Sequence, residues 1–125
     1  MSKQFKPTES ELEILSILWE KQTATVRDVH QIVQLTKEVG YTTTLKLMQI
    51  MHEKGLVTRN ETSKTHIYTP NLSKDKAQEQ YMSKMIKTLF SGSTSQLVLQ
   101  ALGKHKPTSQ DLKEIKNLIE QLEKK

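Results

Sequence analysis

Apolar residues recur at helical spacing near the start of the chain. Leu12, Leu15, Leu18 and Trp19 share one stripe, widened by Ile14 and Ile17. Thr8 with Glu11 three residues on forms a capping box, and Pro7 sits just before it. A first helix is expected from there, with Trp19, the one tryptophan, as a core anchor. Lys21 to Thr25 is a polar break. Thr25 can cap a second helix whose apolar face is Val26, Val29, Ile32 and Val33. His30 lies beside that stripe and reads as a half-buried core edge.

Lys37-Glu38-Val39-Gly40 is the turn into a third helix, where Gly40 can adopt the positive φ that a tight helix-to-helix turn often needs. The stretch YTTTLKLMQIMHEKGLV, Tyr41 to Val57, then has two unlike faces. Thr44, Leu47 or Met48, and Met51 are placed to face inward. Thr42, Thr43, Lys46, Gln49 and Ile50 fall opposite. An ordinary surface helix fills that side with Glu and Lys. Hydroxyls, one lysine, one amide and an isoleucine suit base edges instead. Lysine matches guanine acceptors, glutamine matches adenine, and the Thr or Ile methyls match the thymine methyl. One of Thr42 and Thr43 is alternatively expected to cap the helix.

Gly55 stops this helix, and Leu56 to Arg59 reads as a strand. Asn60 to Lys64 is a polar turn, and His66 to Thr69 is the return strand, closed by Pro70. Two short strands after such a helix make a wing, from which Lys64 and His66 can reach backbone phosphate. Arg27, in the first turn of the second helix, is placed to do the same. The competing reading of all three is a solvated surface.

From Lys74 onward three further helical patterns follow. The first carries Ala77, Tyr81, Met85 (or Met82 and Ile86), Leu89 and Phe90 on one side. After Ser91-Gly92-Ser93 comes a short helix with Leu97, Val98, Ala101 and Leu102. Thr108 with Asp111 forms another capping box, and Leu112, Ile115, Leu118 or Ile119, and Leu122 form the last stripe. About fifty residues can hardly close a core alone, so a homodimer pooling these helices is expected. The dimerising side chains would be Tyr81, Met85, Leu89, Leu97, Val98, Leu102, Leu112, Ile115, Ile119 and Leu122. The expected fold is mainly α with a small β wing: a winged helix-turn-helix over 1–72 and a three-helix dimerisation tail over 73–125.

Composition narrows the function classes. The net charge of +5 favours a polyanionic partner, but weakly. Residues 1–72 hold nine Lys/Arg against eight Asp/Glu, so the excess lies outside the reading head. There is no cysteine, which excludes disulfides and thiolate metal sites. His30, His52, His66 and His105 show no paired ligand spacing, and no Gly-rich phosphate loop occurs. No enzyme activity, metal or cofactor is expected. The N-terminus lacks an apolar h-region and no run is long enough to span a membrane, so a cytoplasmic protein without membrane insertion is expected.

Four stretches together resemble a known family. They are ESELEILSILWEKQTATVRDVHQIV, YTTTLKLMQIMHEKGLVTR with HIYTP, FSGSTSQLVLQAL, and SQDLKEIKNLIEQLEKK. In that order they resemble the penicillinase and methicillin-resistance repressors, the BlaI/MecI type. The resemblance implies repression of resistance or stress genes at palindromic DNA operators. It also implies a membrane-bound sensor metalloprotease whose signal leads to cleavage in the tail. Well-known members are cut between Asn and Phe after Leu-Val-Leu; here Leu97-Val98-Leu99 is followed by Gln100-Ala101, which marks the corresponding bond. Many relatives carry arginine where this chain has Ile50, which implies a different operator. The copper-responsive relatives carry a cysteine-rich tail, absent here. Two other readings compete: a winged helix used as a protein–protein adaptor, and a repressor released by a small ligand.

Overall fold

The computed structural model describes residues 6–124; residues 1–5, part of the stretch without an apolar h-region, and residue 125 lie outside it. Six helices and one two-stranded sheet follow in order: α1 (Glu9–Lys21), α2 (Val26–Val33), α3 (Tyr41–Glu53), β1 (Val57–Asn60), β2 (Ile67–Pro70), α4 (Lys74–Leu89), α5 (Thr94–Lys104) and α6 (Ser109–Glu123). Three of the six helices start at threonine capping boxes, at Thr8/Glu11, Thr25/Asp28 and Thr108/Asp111. In each, the hydroxyl and the carboxylate satisfy amides that the first turn cannot pair internally.

The core of the N-terminal part is drawn from every element through the start of α4. Leu15 and Leu18 of α1, Val29 of α2 and Met48 and Met51 of α3 are fully buried. Leu56, Val57, Tyr68, Leu72 and Ala77 close it. Met48 takes the inward position, while Leu47 is half-buried at its edge. Trp19 is an anchor, as its position suggested: its Nε1 donates to the Leu72 carbonyl at 2.8 Å and so fastens α1 to the end of the wing.

The sheet is antiparallel, with Val57 opposite Pro70 and Arg59 opposite Tyr68. Its strands run one residue later than expected. Tyr68 also pairs on its other side with Ala24, donating at 2.8 Å and accepting at 3.0 Å. The polar break after α1 is therefore a third edge of the wing base. Gln22 turns the chain toward it at a φ of 74°.

Gly55 has a φ of 83°, a conformation open to glycine at no steric cost. Its amide bonds to the His52 carbonyl and the Leu56 amide to the Met51 carbonyl, the paired bonds of a Schellman ending. At the other end of α3 the structure corrects two expectations. Gly40 is the N-cap with a φ of −78°, and no side chain caps the helix. Extended backbone suffices for this turn because α2 ends early, at Val33, and six residues separate it from Gly40. Thr42 and Thr43, lying beyond the N-cap, keep their hydroxyls for other partners.

Two compact units divide the chain, Met1–Glu79 and Gln80–Lys125, within α4. Ala77, in the first turn of α4, is buried with the N-terminal core. The second unit differs in kind: none of its described residues is buried. Leu89 is 74% exposed and Leu122 59%.

One carboxylate is enclosed in the first unit. Glu11, 2% exposed, accepts from the Thr8 amide at 2.8 Å and from Lys54 Nζ at 2.6 Å. Lys54 follows α3 directly as its C-cap, so this pair joins the start of α1 to the end of α3. Removing the cation leaves the carboxylate short of a partner. Lys54→Met is expected to lower stability by about 1–3 kcal/mol in urea unfolding. Glu11→Gln in the same chain should restore part of that loss; a double variant as unstable as the sum would show that the pair is not coupled.

Candidate nucleic-acid interface

The third helix presents the expected face. Its first residue follows a glycine N-cap, and its 3.6-residue period sends Thr44, Met48 and Met51 into the core. Thr42, Thr43, Lys46, Gln49 and Ile50 are all exposed on the other side. Glu53 falls there too, at the C-terminal end.

Beside that face an open groove of about 560 Å³ runs between α2, α3 and the wing. It brings together Arg27, Gln49, Lys64 and His66 from the expected set. Thr42, Thr43, Lys46 and Ile50 do not line it. Arg27 and Lys64 are exposed, and His66 is half-buried. The groove is also lined by Tyr41, Leu45 and Thr65, which pattern reasoning had not marked. For Tyr41 a signal existed: an aromatic at the first helical position, ahead of three threonines, has no core to fill.

The wing turn is organised by its own side chains. Asn60 Oδ1 accepts from the Thr62 amide at 3.0 Å and from the Thr62 hydroxyl at 2.8 Å. Ser63 Oγ donates to the Thr65 carbonyl at 2.7 Å. Arg59 Nε donates to Glu61 Oε2 at 2.9 Å. Its bond to the Tyr68 hydroxyl and then that to Glu61 hold the guanidinium above its usual value, while the Arg59 bond holds the Glu61 carboxyl below its own. Arg59 is thereby engaged within the wing.

Lys54 is likewise engaged, with Glu11. Among the described residues, Arg27, Lys46 and Lys64 take part in no ion pair. Arg27 and Lys64 line the groove together, while Lys46 stands on the exposed face of α3. A three-helix core with a two-stranded hairpin after the third helix is a winged helix.

A family model described as penicillinase repressor matches residues 7–121. The chain belongs to the penicillinase repressor family. The family's members include the penicillinase repressor of Staphylococcus aureus, 20% identical over 124 residues, which span 99% of this chain and 98% of that one. The methicillin resistance regulatory protein MecI of Staphylococcus aureus strain N315 is 20% identical over 118 residues, 94% of this chain and 96% of that one. The fold is similar to the solution structure of the DNA-binding domain of the repressor BlaI, with a TM-score of 0.53, 20% identity, and coverage of 61% of this chain and 93% of that one. The monomeric form of Bacillus licheniformis BlaI in complex with the blaP half-operator gives a TM-score of 0.52 at 20% identity and the same coverage. Family membership thus rests on residues 7–121, and the structural likeness on about three fifths of the chain.

Arg27 is placed by the Thr25 cap, which also borders the groove. The Thr25 amide and then its hydroxyl hold the Asp28 carboxyl below its usual value. Thr25→Ala is expected to cost about 1 kcal/mol of stability at pH 7. A depressed folded value means that the carboxylate's share is present above the unfolded value, about 4, and is lost as pH falls through the folded one. Urea midpoints of both proteins should therefore converge on going from pH 7 to strong acid. A deficit unchanged by pH would remove the carboxylate from the cap's energetics.

Proposed function

We propose that this chain is a DNA-binding transcriptional repressor that grips palindromic operators as a homodimer. The observation that carries the reading is the exposed face of α3, with five side chains suited to base edges and no structural duty of their own. Lys46 would address guanine, Gln49 adenine, and Thr42, Thr43 and Ile50 the thymine methyl. Arg27, Lys64 and His66 would contact phosphates on either side. The winged helix over 1–72 is the reading head, and residues 73–125 place a second copy about one DNA turn away, roughly 34 Å.

Support for the dimer comes from the second unit. Met85, Leu89, Val98, Leu112, Ile119 and Leu122 are exposed in one chain, and Tyr81, Leu97, Leu102 and Ile115 are half-buried. Apolar stripes on three helices with no buried residue beyond Ala77 need a further surface to cover them. A self-complementary patch is met most simply by its own copy.

Release would follow proteolysis in the tail, after a signal from a membrane-bound sensor metalloprotease, as in the family's antibiotic-resistance systems. The Gln100–Ala101 bond lies inside α5, and both residues are exposed. A protease reads extended backbone, so this bond is cut only if α5 unwinds locally. Such a repressor works in the cytoplasm. No described helix is long and apolar enough to cross a membrane.

Selection of duplexes from a random pool should yield a palindrome. Phosphate contacts by Arg27 and Lys64 predict a log–log salt slope of about −2 per half-site. A protein–protein adaptor would select no duplex. Gln49→Ala should weaken binding by about 1–3 kcal/mol at one operator position only, read by titrating single-base variants. Equal loss at every sequence would remove its base-reading role. For the dimer, Ile119→Glu with Leu122→Glu should leave helicity intact and shift sedimentation from dimer to monomer. A wild-type chain that sediments as a monomer would refute the pooled tail.

A further inference from the structure

Tyr41 is 45% exposed at the first position of α3, on the wall of the groove that holds Arg27, Lys64 and His66. Nearly half of its surface stays open to solvent in the folded chain. It is nonetheless held. Its ring meets the His30 ring edge-on, with centroids 5.6 Å apart and planes at 85°. His30 Nδ1 is in turn hydrogen-bonded to Thr44 Oγ1 at 2.9 Å, and Thr44 is buried. Three residues from two helices are thus linked in series, from the core to the groove.

We propose that Tyr41 contacts the DNA backbone through its hydroxyl, and that His30, pinned by Thr44, is the positioning residue that fixes its ring. The inference rests on the reading of this face as DNA-binding and names a contact beyond the eight residues assigned above. The chemistry favours it on two grounds. First, three cations of the winged helix, Lys37, Lys54 and Arg59, are held in ion pairs, so an uncharged donor adds usefully to backbone affinity. A tyrosine hydroxyl donates to a phosphate oxygen, and its ring has few rotors to immobilise. Second, edge-on aromatic packing and the Thr44 bond set the ring before DNA arrives, which lowers the ordering cost of the contact. His30 itself is half-buried behind Tyr41 and acts through it.

The test uses the full chain and the duplex it selects, with affinity read by fluorescence anisotropy. Tyr41→Phe keeps the ring and removes the hydroxyl. It should bind about tenfold more weakly, equally on every single-base variant of the site, with unchanged thermal unfolding. His30→Ala should lose a similar factor. The double variant should lose little more than either alone, because His30 acts through Tyr41. His30→Phe, which restores an aromatic edge, should recover part of the loss. Wild-type affinity in Tyr41→Phe would overturn the contact. A loss confined to one base pair would overturn its assignment to the backbone. Losses that multiply in the double variant would overturn the positioning role. If the wild-type chain selects no duplex, the DNA-binding reading falls as well; if it binds and only these variants fail to respond, that reading stands and Tyr41 alone is excluded.

Discussion

The geometry of the reading head depends on one enclosed carboxylate. Glu11 sits in the first turn of α1 and is almost without contact with water. Burying a charge is costly unless it is met by donors, and here the Thr8 amide and Lys54 meet it. The same residue closes a local capping box and a link over forty residues of chain. Because Lys54 is the C-cap of α3 and Gly55 follows it, the pair fixes where α3 stops and where the wing begins. Met48 and Met51 of α3 are fully buried in the core, but apolar contact is non-directional and tolerates sliding. The ion pair adds a directional link between the start of α1 and the end of α3, the helix from which Thr42, Lys46 and Gln49 stand out.

The wing is held by the same kind of division. Tyr68 is buried and pairs through its backbone with Ala24, while its opposite number in β1 is Arg59. One residue thus joins the segment after α1, the hairpin, and an arginine that is already occupied by Glu61 and the tyrosine hydroxyl. The hairpin base is rigid by construction, and its turn is ordered by Asn60 and Ser63. Lys64 and His66 are therefore offered from a defined loop.

Much of this was legible in the sequence because the signals are short-range. Two capping boxes, the Thr25 cap, the Gly55 stop and the inward set of Thr44 and Met51 are spacings of three or four residues, fixed by helix geometry. The two-faced character of α3 followed from the same period. What was not legible depends on pairs far apart in the chain. Nothing local in Lys21–Thr25 marks Ala24 as a strand partner, since its partner is forty-four residues on. The Glu11–Lys54 link and the His30–Thr44 bond are hidden for the same reason: each side chain has an ordinary local explanation. The turn before α3 misled because glycine permits positive φ without requiring it, and a longer connection relieved the need. Tyr41 escaped notice because it belongs to neither face of the helix but to its flank.

The modest charge of the reading head and the bare apolar tail have a common consequence. With Lys54 and Arg59 held in ion pairs, one head has fewer free charges to offer a polyanion, which would lower its affinity on its own. In the proposed dimer, occupancy of an operator would depend on joining two heads, because the second binding step would be intramolecular and its effective concentration high. Separating the tails would then lower occupancy while leaving each winged helix folded, since the core that carries α3 ends at Ala77. On that proposal a low head charge favours switching through the tail: a head with many free cations would stay on DNA alone.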